Sequence, residues 1–334
     1  MGERVIRAST PIRICDIGGW TDTWFGGPGR VLNLAVRPGV EVTVNATGGQ
    51  GLIQLDVSAF GDRYQVVPGQ ARTPRHPLLE AAIDTLPPPG DVDLELAVRS
   101  GVPAGSGCGT SAAVAVATLG ALSAARGSEW DRYGIARAAH TLEVAALGGE
   151  SGVQDQLASA FGGINYVEMD EYPEAAVTNF EPWPELSNRL LLVFVGRAHE
   201  SSAVHRQVIG DTGLRRTSAL NALRAAAMAA RDAVVARDIA GFGDAMNLNT
   251  EAQGELHPDL IGRDARRVID AARRCGAAGW KINGAGGDGG SVTLLSSTEE
   301  ATESLGIQVA SVDPAYEVSP VRISDTGLHI EGSL

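Results

Sequence analysis

Apolar and polar residues alternate over several short stretches in the first third of the chain, and this period of two predicts strands. The stretch 92–100 alternates in this way and leads directly into a glycine-rich segment. Pro38-Gly39 separates two apolar runs, and Gly61-Asp62 is typical of a hairpin turn. We therefore predict strands over residues 31–36, 40–44, 52–60, 64–67 and 92–100.

Helical patterns lie between and after these strands. Residues 111–126 contain Ala, Val and Leu on all sides, which predicts a buried helix. Predicted helices cover residues 76–86, 111–126, 133–146, 214–237, 242–255 and 264–275. Predicted strands of the second half cover residues 189–195, 277–282 and 291–295. Strands interleaved with paired helices favour an α+β second domain of the ferredoxin-like type.

Residues 170–187 combine Glu, Pro and Trp without periodicity, and we place the domain boundary there. The predicted domains are residues 1–180 and 181–334. A chain of 334 residues, 44% hydrophobic and 20% charged, can form two such cores.

Charge and cysteine content narrow the range of partners. A net charge of −13 argues against non-specific binding of nucleic acid. The chain shows neither an apolar run of membrane-spanning length nor an apolar signal core. Cys15, Cys108 and Cys275 are widely separated, so they indicate neither a disulfide framework nor a Cys-x-x-Cys metal site. We expect a cytoplasmic protein without membrane or nucleic-acid partners, and a homodimer remains open.

The segment 102–113 is the strongest candidate for ligand binding. Its small residues precede an alanine-rich helix, whose N-terminal N–H groups and dipole favour an anion such as phosphate. The small and hydroxylic residues in question are Pro103, Gly105, Ser106, Gly107, Cys108, Gly109, Thr110 and Ser111. The alternative is a plain loop in which Thr110 or Ser111 caps the helix. The segment is neither a Walker loop nor a G-x-G-x-x-G fingerprint.

Three further segments carry candidate chemistry. The first, residues 10–23, holds Arg13, Asp16, Gly18, Gly19, Thr21 and Asp22. Its glycine pair lets backbone approach a ligand and its aspartates can accept hydrogen bonds from hydroxyls, although a turn with a paired surface aspartate would look the same.

The second segment places Glu143 on a helix and Asp155 among amides and glycines, which suits a catalytic carboxylate or a metal ligand. The alternative for Asp155 is a helix N-cap. The third segment, 281–290, has five glycines in its last seven residues and suits a phosphate-wrapping loop or a flexible connection.

Together these segments resemble the three signature motifs of the GHMP kinases, in the same order along the chain. The central one reads Pro103-Ala-Gly-Ser-Gly-Cys-Gly-Thr-Ser-Ala-Ala113. The Gly18-Gly-Trp-Thr-Asp22 stretch is similar to heptose kinases and L-fucokinases, and the segment that runs from Gln154-Asp-Gln156 to Tyr166 is similar to heptose 7-phosphate kinases. The resemblance implies a two-domain α+β fold, with an N-terminal ribosomal protein S5 domain 2-like domain and a C-terminal ferredoxin-like α/β sandwich.

The resemblance also implies a role for each matched residue. The central loop would bind ATP, Ser111 and Glu143 would hold Mg²⁺, and Asp155 would take the acceptor's proton with Arg13 beside it. Substrate contacts are implied for Gly18, Gly19, Thr21, Asp22, Asp155, Arg197, Gly284, Gly286 and Gly287.

The resulting hypothesis is an ATP- and Mg²⁺-dependent kinase acting on a small-molecule sugar or sugar phosphate. The implied reaction is transfer to the anomeric hydroxyl of a heptose or heptose 7-phosphate. The alternatives are a kinase for an L-fucose-like sugar or cyclitol and a non-catalytic homologue that binds sugar and ATP. Asn283 and Asp288 depart from the family pattern, and Asp288 puts a negative charge near the expected phosphates.

Overall fold

The computed structural model describes residues 4–57, 60–70, 75–128, 130–146, 148, 150–197, 208–209 and 214–332. A nine-stranded sheet forms the larger part of the fold, in the order β13-β1-β2-β5-β3-β4, with β12 and β6 also on β2, and β7 on β6. Its strands are β1 (Arg4–Ile17), β2 (Gly29–Gly48), β3 (Ile53–Val57), β4 (Asp62–Val66), β5 (Val92–Ser100), β6 (Ile164–Glu171), β7 (Glu174–Phe180), β12 (Arg322–Ile323) and β13 (His329–Glu331).

The two strands predicted around Pro38-Gly39 are one continuous strand, β2, so the predicted break was wrong. Thr10 pairs with Val40 and Ile12 with Val36, so residues 37–39 bulge opposite a single residue of β1. The bulge accommodates the proline, which has no N–H to donate to the ladder. Residues 29–34 of β2 pair with β6 and residues 40–48 pair with β5, which lets one strand join two parts of the sheet.

The described helices of the first half are α1 (Pro77–Thr85), α2 (Thr110–Ala125), α3 (Arg132–Thr141) and α4 (Gln154–Phe161), of which α2 and α4 contact the strands of this sheet. The prediction of a buried helix is confirmed by α2, which packs on β1 and β2 and contacts the other three helices. The helix predicted over residues 133–146 ends earlier, because residues Leu142–Ala146 form a π-helical turn. Such turns widen a helix locally and occur often at functional sites.

The second sheet confirms the ferredoxin-like prediction. Its strands are β8 (Leu190–Phe194), β9 (Gly279–Ile282), β10 (Ser291–Leu295) and β11 (Glu317–Pro320), in the antiparallel order β11-β8-β10-β9. In chain order this is 4-1-3-2. Helices of this half are α6 (Leu214–Ala236), α7 (Ile239–Leu256), α8 (Arg263–Arg274) and α9 (Ala301–Ala310), and a one-turn helix α5 (Pro184–Ser187) precedes β8.

The chain ends on the first sheet, because β12 pairs with β2 and β13 with β1. The domain division at residue 180 remains a prediction. It did not include the pairing of the C-terminal strands β12 and β13 with the first sheet. Among the described residues, no helix is long and apolar enough to span a membrane.

Candidate active site

A cavity of about 390 Å³ lies where β1, the glycine loop before α2, the π-helical turn, the start of α4 and the loop after β9 converge. It brings together most of the residues singled out from the sequence. Those lining it are Arg13, Asp16, Gly19, Asp22, Gly105, Ser106, Gly107, Cys108, Gly109, Thr110, Ser111, Glu143, Asp155 and Gly284.

Arg13 and Asp155 form a bidentate ion pair in one wall of the cavity. Arg13 Nε lies 2.7 Å from Asp155 Oδ1, and Nη2 lies 2.9 Å from Oδ2. The Arg13 Nη1 group donates to the carbonyl of Gly107, so the same guanidinium also holds the glycine loop. Burial alone would lower the pKa of Arg13, but Asp155 and Asp16 raise it, so this cation stays charged at any working pH.

A bulge in β1 places Asp16 in the same cavity as Arg13. Side chains three positions apart lie on opposite faces of a regular strand. Here Ile14 pairs with Leu34 and Ile17 with Leu32, so two residues of β1 stand opposite one of β2, and Cys15 has a φ of +54°. The bulge therefore turns Asp16 back toward Arg13, an orientation that strand periodicity alone does not predict.

The glycine loop passes close to this ion pair. Gly109 has a φ of +65°, and a Cβ there would lie 3.1 Å from both Arg13 Cγ and Asp155 Oδ2. No side chain in the described ranges caps α2, which begins at Thr110. Among the described residues, the buried hydroxyls of Ser106 and Thr110 lack a hydrogen-bond partner. Free helix N–H groups and unpaired hydroxyls beside a cavity suit the oxygens of a phosphate.

Ser111 and Glu143 are in direct contact in the cavity lining. The Ser111 hydroxyl donates to Glu143 Oε1, and Ser151 and Gln156 both donate to Oε2. Burial raises the pKa of Glu143, against the effect of these three donors. The described residues contain no group of three or more His, Cys, Asp and Glu side chains that could hold a metal ion. One hydroxyl and one carboxylate fit Mg²⁺, which takes few protein ligands and completes its shell with water and phosphate oxygens.

Asp22 is a buried carboxylate in the lining of the cavity, next to the start of α4. Its side chain accepts the N–H of Gln154 at 3.1 Å, and a Cβ on Gly152 would lie 2.1 Å from its Oδ2. Burial raises the pKa of Asp22 to about 6, with a smaller contribution from Asp155. The ionised form therefore destabilises the folded state.

This raised pKa predicts a pH-dependent effect of Asp22→Asn on stability. Below pH ~4, Asp22 is protonated in both the folded and unfolded states, and between pH ~4 and ~6 it ionises first in the unfolded chain. The melting temperature of Asp22→Asn, relative to that of the wild type, should therefore increase as pH rises through this window. Differential scanning fluorimetry over a pH series measures the gain, with Asp270→Asn at an exposed position as the matched control. A constant difference between Asp22→Asn and wild type across the series would contradict the prediction.

The third motif closes the cavity from the second domain. A Cβ on Gly284 would lie 2.8 Å from the carbonyl of Gly107, so the two glycine loops touch. Asn283 Oδ1 accepts the N–H of Cys15 at 2.9 Å and the Thr293 hydroxyl at 2.8 Å. The asparagine at the position that departs from the family pattern therefore ties β1 to β10.

Some predicted residues lie outside the cavity lining. Thr21 is fully buried, donates to the carbonyl of Gly18 and accepts the N–H of Arg30, so it supports the loop behind Asp22. Arg197 pairs with Asp264, and a contact of its side chain with substrate stays a prediction. The exposed Asp288 is absent from the lining, as are Pro103, Gly18, Gly286 and Gly287. Residues 198–207 fall outside the described part of the chain.

Two contacts in this region had no counterpart in the sequence predictions. Lys281 is buried, and its Nζ lies 3.2 Å from Asp16 Oδ1. The Gln154 side-chain amide donates to Asp155 Oδ1. A signal for Lys281 was available, because it is the single lysine among the 27 Lys and Arg residues of the chain.

Comparisons with known proteins identify the family of this chain. The model "GHMP kinases N terminal domain" matches residues 78–163, and "GHMP kinases C terminal" matches residues 230–306. A mevalonate kinase from Pyrococcus horikoshii is 30% identical over 251 residues, which are 72% of this chain and 69% of that protein. The fold and these matches define a phosphotransferase. More specifically, the chain belongs to the GHMP kinase family, whose members use ATP as phosphate donor.

Other relatives are named for sugar substrates. A bifunctional fucokinase/GDP-fucose pyrophosphorylase from Arabidopsis thaliana is 27% identical over 326 residues, which are 90% of this chain but 31% of that protein. The structure of a D-glycero-D-manno-heptose 1-phosphate kinase from Bacteroides thetaiotaomicron superposes with a TM-score of 0.77 at 20% identity and covers 98% of both chains. This last likeness supports the fold.

Proposed function

We propose that the protein is an ATP- and Mg²⁺-dependent sugar kinase that phosphorylates the anomeric hydroxyl of a heptose. The observation that carries the proposal is the Arg13–Asp155 ion pair set directly against the glycine loop at the start of α2. A carboxylate, a cation and a phosphate-binding helix terminus in one cavity are the groups that phosphoryl transfer to a hydroxyl requires.

Asp155 supplies the base in this proposal. Its Oδ1 accepts from Arg13 and Gln154, whereas Oδ2 accepts only from Arg13 among the described contacts. The free lone pair of Oδ2 can accept the hydrogen of an acceptor hydroxyl. As the oxygen of the acceptor hydroxyl bonds to the γ-phosphorus of ATP and the bond between that phosphorus and ADP breaks, the hydroxyl proton passes to Asp155.

Arg13 and the glycine loop interact with the negatively charged phosphate groups in this step. The N–H groups at the start of α2 and the hydroxyls of Ser106 and Thr110 can hold phosphate oxygens. The Arg13 guanidinium can offset negative charge that develops on the transferring group. Ser111 and Glu143 would hold Mg²⁺, which neutralises phosphate charge when bound.

The charge of the cavity favours an uncharged acceptor. Asp22 and Glu150 line it together with Trp20 and with Asp16, which is paired with Lys281, and the described lining contains one cationic side chain, Arg13, already paired with Asp155. Carboxylates accept hydrogen bonds from sugar hydroxyls and repel a second phosphate. Between a heptose and a heptose 7-phosphate, this geometry supports the neutral sugar.

An L-fucose-type sugar is the second candidate. The similarity to the Arabidopsis protein named as a fucokinase extends over 90% of this chain, and the same carboxylates suit a neutral deoxyhexose. A non-catalytic sugar-binding protein is the third, but it would have no need for a base paired with Arg13.

A coupled ADP-release assay with purified protein tests the proposal across neutral heptoses, L-fucose, heptose 7-phosphate and mevalonate. We expect turnover with a neutral sugar, loss of turnover in EDTA, and a ³¹P resonance of an anomeric phosphate in the product. ATP binding without turnover of any acceptor would overturn the kinase proposal. Preference for an anionic acceptor would overturn the choice of a neutral one.

A further inference from the structure

Three asparagines form a row across adjacent strands of the large sheet. Asn33 of β2 is the register partner of Asn165 on β6, and Asn165 is the partner of Asn179 on β7. Asn33 and Asn165 are completely buried. Asparagine is disfavoured in strands, and a buried amide must satisfy both its donors and its acceptor. Each amide of this polar row inside an apolar sheet face therefore needs hydrogen-bond partners.

The row continues into the candidate active site. Asn179 Nδ2 donates to Asn165 Oδ1 at 2.9 Å, and Asn165 Nδ2 donates to Asn33 Oδ1 at 3.1 Å. Asn33 Nδ2 donates to Gln154 Oε1 at 2.9 Å, and Gln154 Nε2 donates to Asp155 Oδ1. Four amides in series thus end on the carboxylate of Asp155. We call these four side chains the amide row.

The direction of the row is fixed by groups that only accept hydrogen bonds. Asn179 Nδ2 also lies 2.8 Å from the carbonyl of Gly162, and Asn33 Nδ2 lies 3.4 Å from the carbonyl of Gln154. Each amide must therefore turn its nitrogen toward Asp155 and its oxygen away from it. With its oxygen held by Asn33, Gln154 can offer Asp155 only an N–H donor.

We propose that the amide row is a positioning device for Asp155, an inference that rests on the proposed kinase function. Gln154 engages Oδ1, the oxygen that Arg13 Nε also contacts, and leaves Oδ2 with capacity for the acceptor hydroxyl. The carboxylate is held from both sides, by the guanidinium and by the amide. Asn33 and Gln154 are then positioning residues, since they act on the reacting atoms through Asp155.

Asn33→Asp tests this idea without touching Asp155. The new carboxylate cannot donate to Gln154 Oε1, so the Gln154 amide must turn over and present its oxygen to Asp155 Oδ1. Repulsion between the two oxygens should displace the carboxylate, and a displacement of the order of 1 Å costs about 100-fold in rate. We expect kcat to fall by about that factor, while calorimetry gives an ATP Kd near the wild-type value.

Asn247→Asp is the matched control. Asn247 is a half-buried amide that joins α7 to β9, with its oxygen accepting the N–H of Trp280 at 3.0 Å. The same chemical change there should leave kcat unchanged. A fall in kcat for both variants would overturn the positioning role, because it would indicate a general response to a buried negative charge.

Two substitutions at Gln154 decide the question even where Asn33→Asp fails to fold. Gln154→Glu keeps the shape and the bond from Asn33 but turns a carboxylate oxygen toward Asp155, whereas Gln154→Met removes the contact without repulsion. The amide row predicts the kcat order wild type, Gln154→Met, Gln154→Glu. A purely structural role predicts that Gln154→Glu is the milder change, and that order would overturn the proposal.

Asp155→Asn separates this proposal from the proposed function. Unchanged turnover in Asp155→Asn would remove Asp155 as the base and with it the kinase mechanism. Reduced turnover in Asp155→Asn, together with wild-type kcat in folded Asn33→Asp, would overturn the amide row alone.

Discussion

Asp155→Asn is expected to lower kcat by about 10³-fold, within the range that general-base catalysis contributes. The amide keeps the shape of the carboxylate but cannot take the acceptor's proton. It also offers Arg13 Nη2 an N–H group in place of the oxygen that now lies 2.9 Å away, or else turns that group toward Arg13 Nε. The loss should appear in kcat at saturating acceptor.

ATP binding provides the internal control for this variant. The glycine loop and the start of α2 hold the expected phosphate site, so calorimetry should give an ATP Kd near that of the wild type. Asp270→Asn, at an exposed position, controls for the loss of one negative charge. A kcat within a factor of about 10 of the wild type would remove Asp155 from the proposed mechanism.

Local patterns predicted most individual elements because each depends on nearby residues. The alternation over residues 92–100 coincides with β5, and the all-round apolar segment coincides with the buried helix α2. The continuous strand β2 was missed because its bulge depends on pairing with β1, a distant segment. The return of β12 and β13 to the first sheet depends on long-range pairing in the same way.

Glycine-rich motifs located the candidate site, whereas side-chain orientation within it required the folded chain. Periodicity places Arg13 and Asp16 on opposite faces of a strand, and only the β1 bulge brings them together. The amide row depends on the registers of three strands, which no local pattern encodes. The composition singles out Lys281 as the one lysine of the chain. Its partner Asp16 could not be predicted in the same way, because it lies 265 positions away in the sequence.

Lys281→Met is expected to reduce the free energy of unfolding by about 3–5 kcal/mol, the effect of breaking a buried ion pair. Lys281 and Asp16 are both almost completely buried, with side-chain exposures of 1% and 3%. Lys281 Nζ also donates to Gln253 Oε1 at 3.3 Å and to the carbonyl of Ile282. Burial lowers the pKa of Lys281, and Asp16 opposes that shift. Removing the ammonium leaves Asp16 with the N–H of Gly284, 3.1 Å away, and with no cation in direct contact from the part of the chain that the structure describes.

Two further variants, measured by urea denaturation, separate the contribution of the paired charges to stability from that of side-chain packing. Lys281→Met/Asp16→Asn removes both charges and should recover most of the stability lost in the single variant, since no buried charge is left unpaired. Lys281→Arg keeps the charge but needs space for a planar guanidinium, and overpacking should cost about 1–3 kcal/mol. This cost falls at the one position, among the 27 Lys and Arg residues, that holds lysine. A wild-type denaturation midpoint for Lys281→Met would show that the pair contributes no net stability, and a wild-type midpoint for Lys281→Arg would refute the argument from fit.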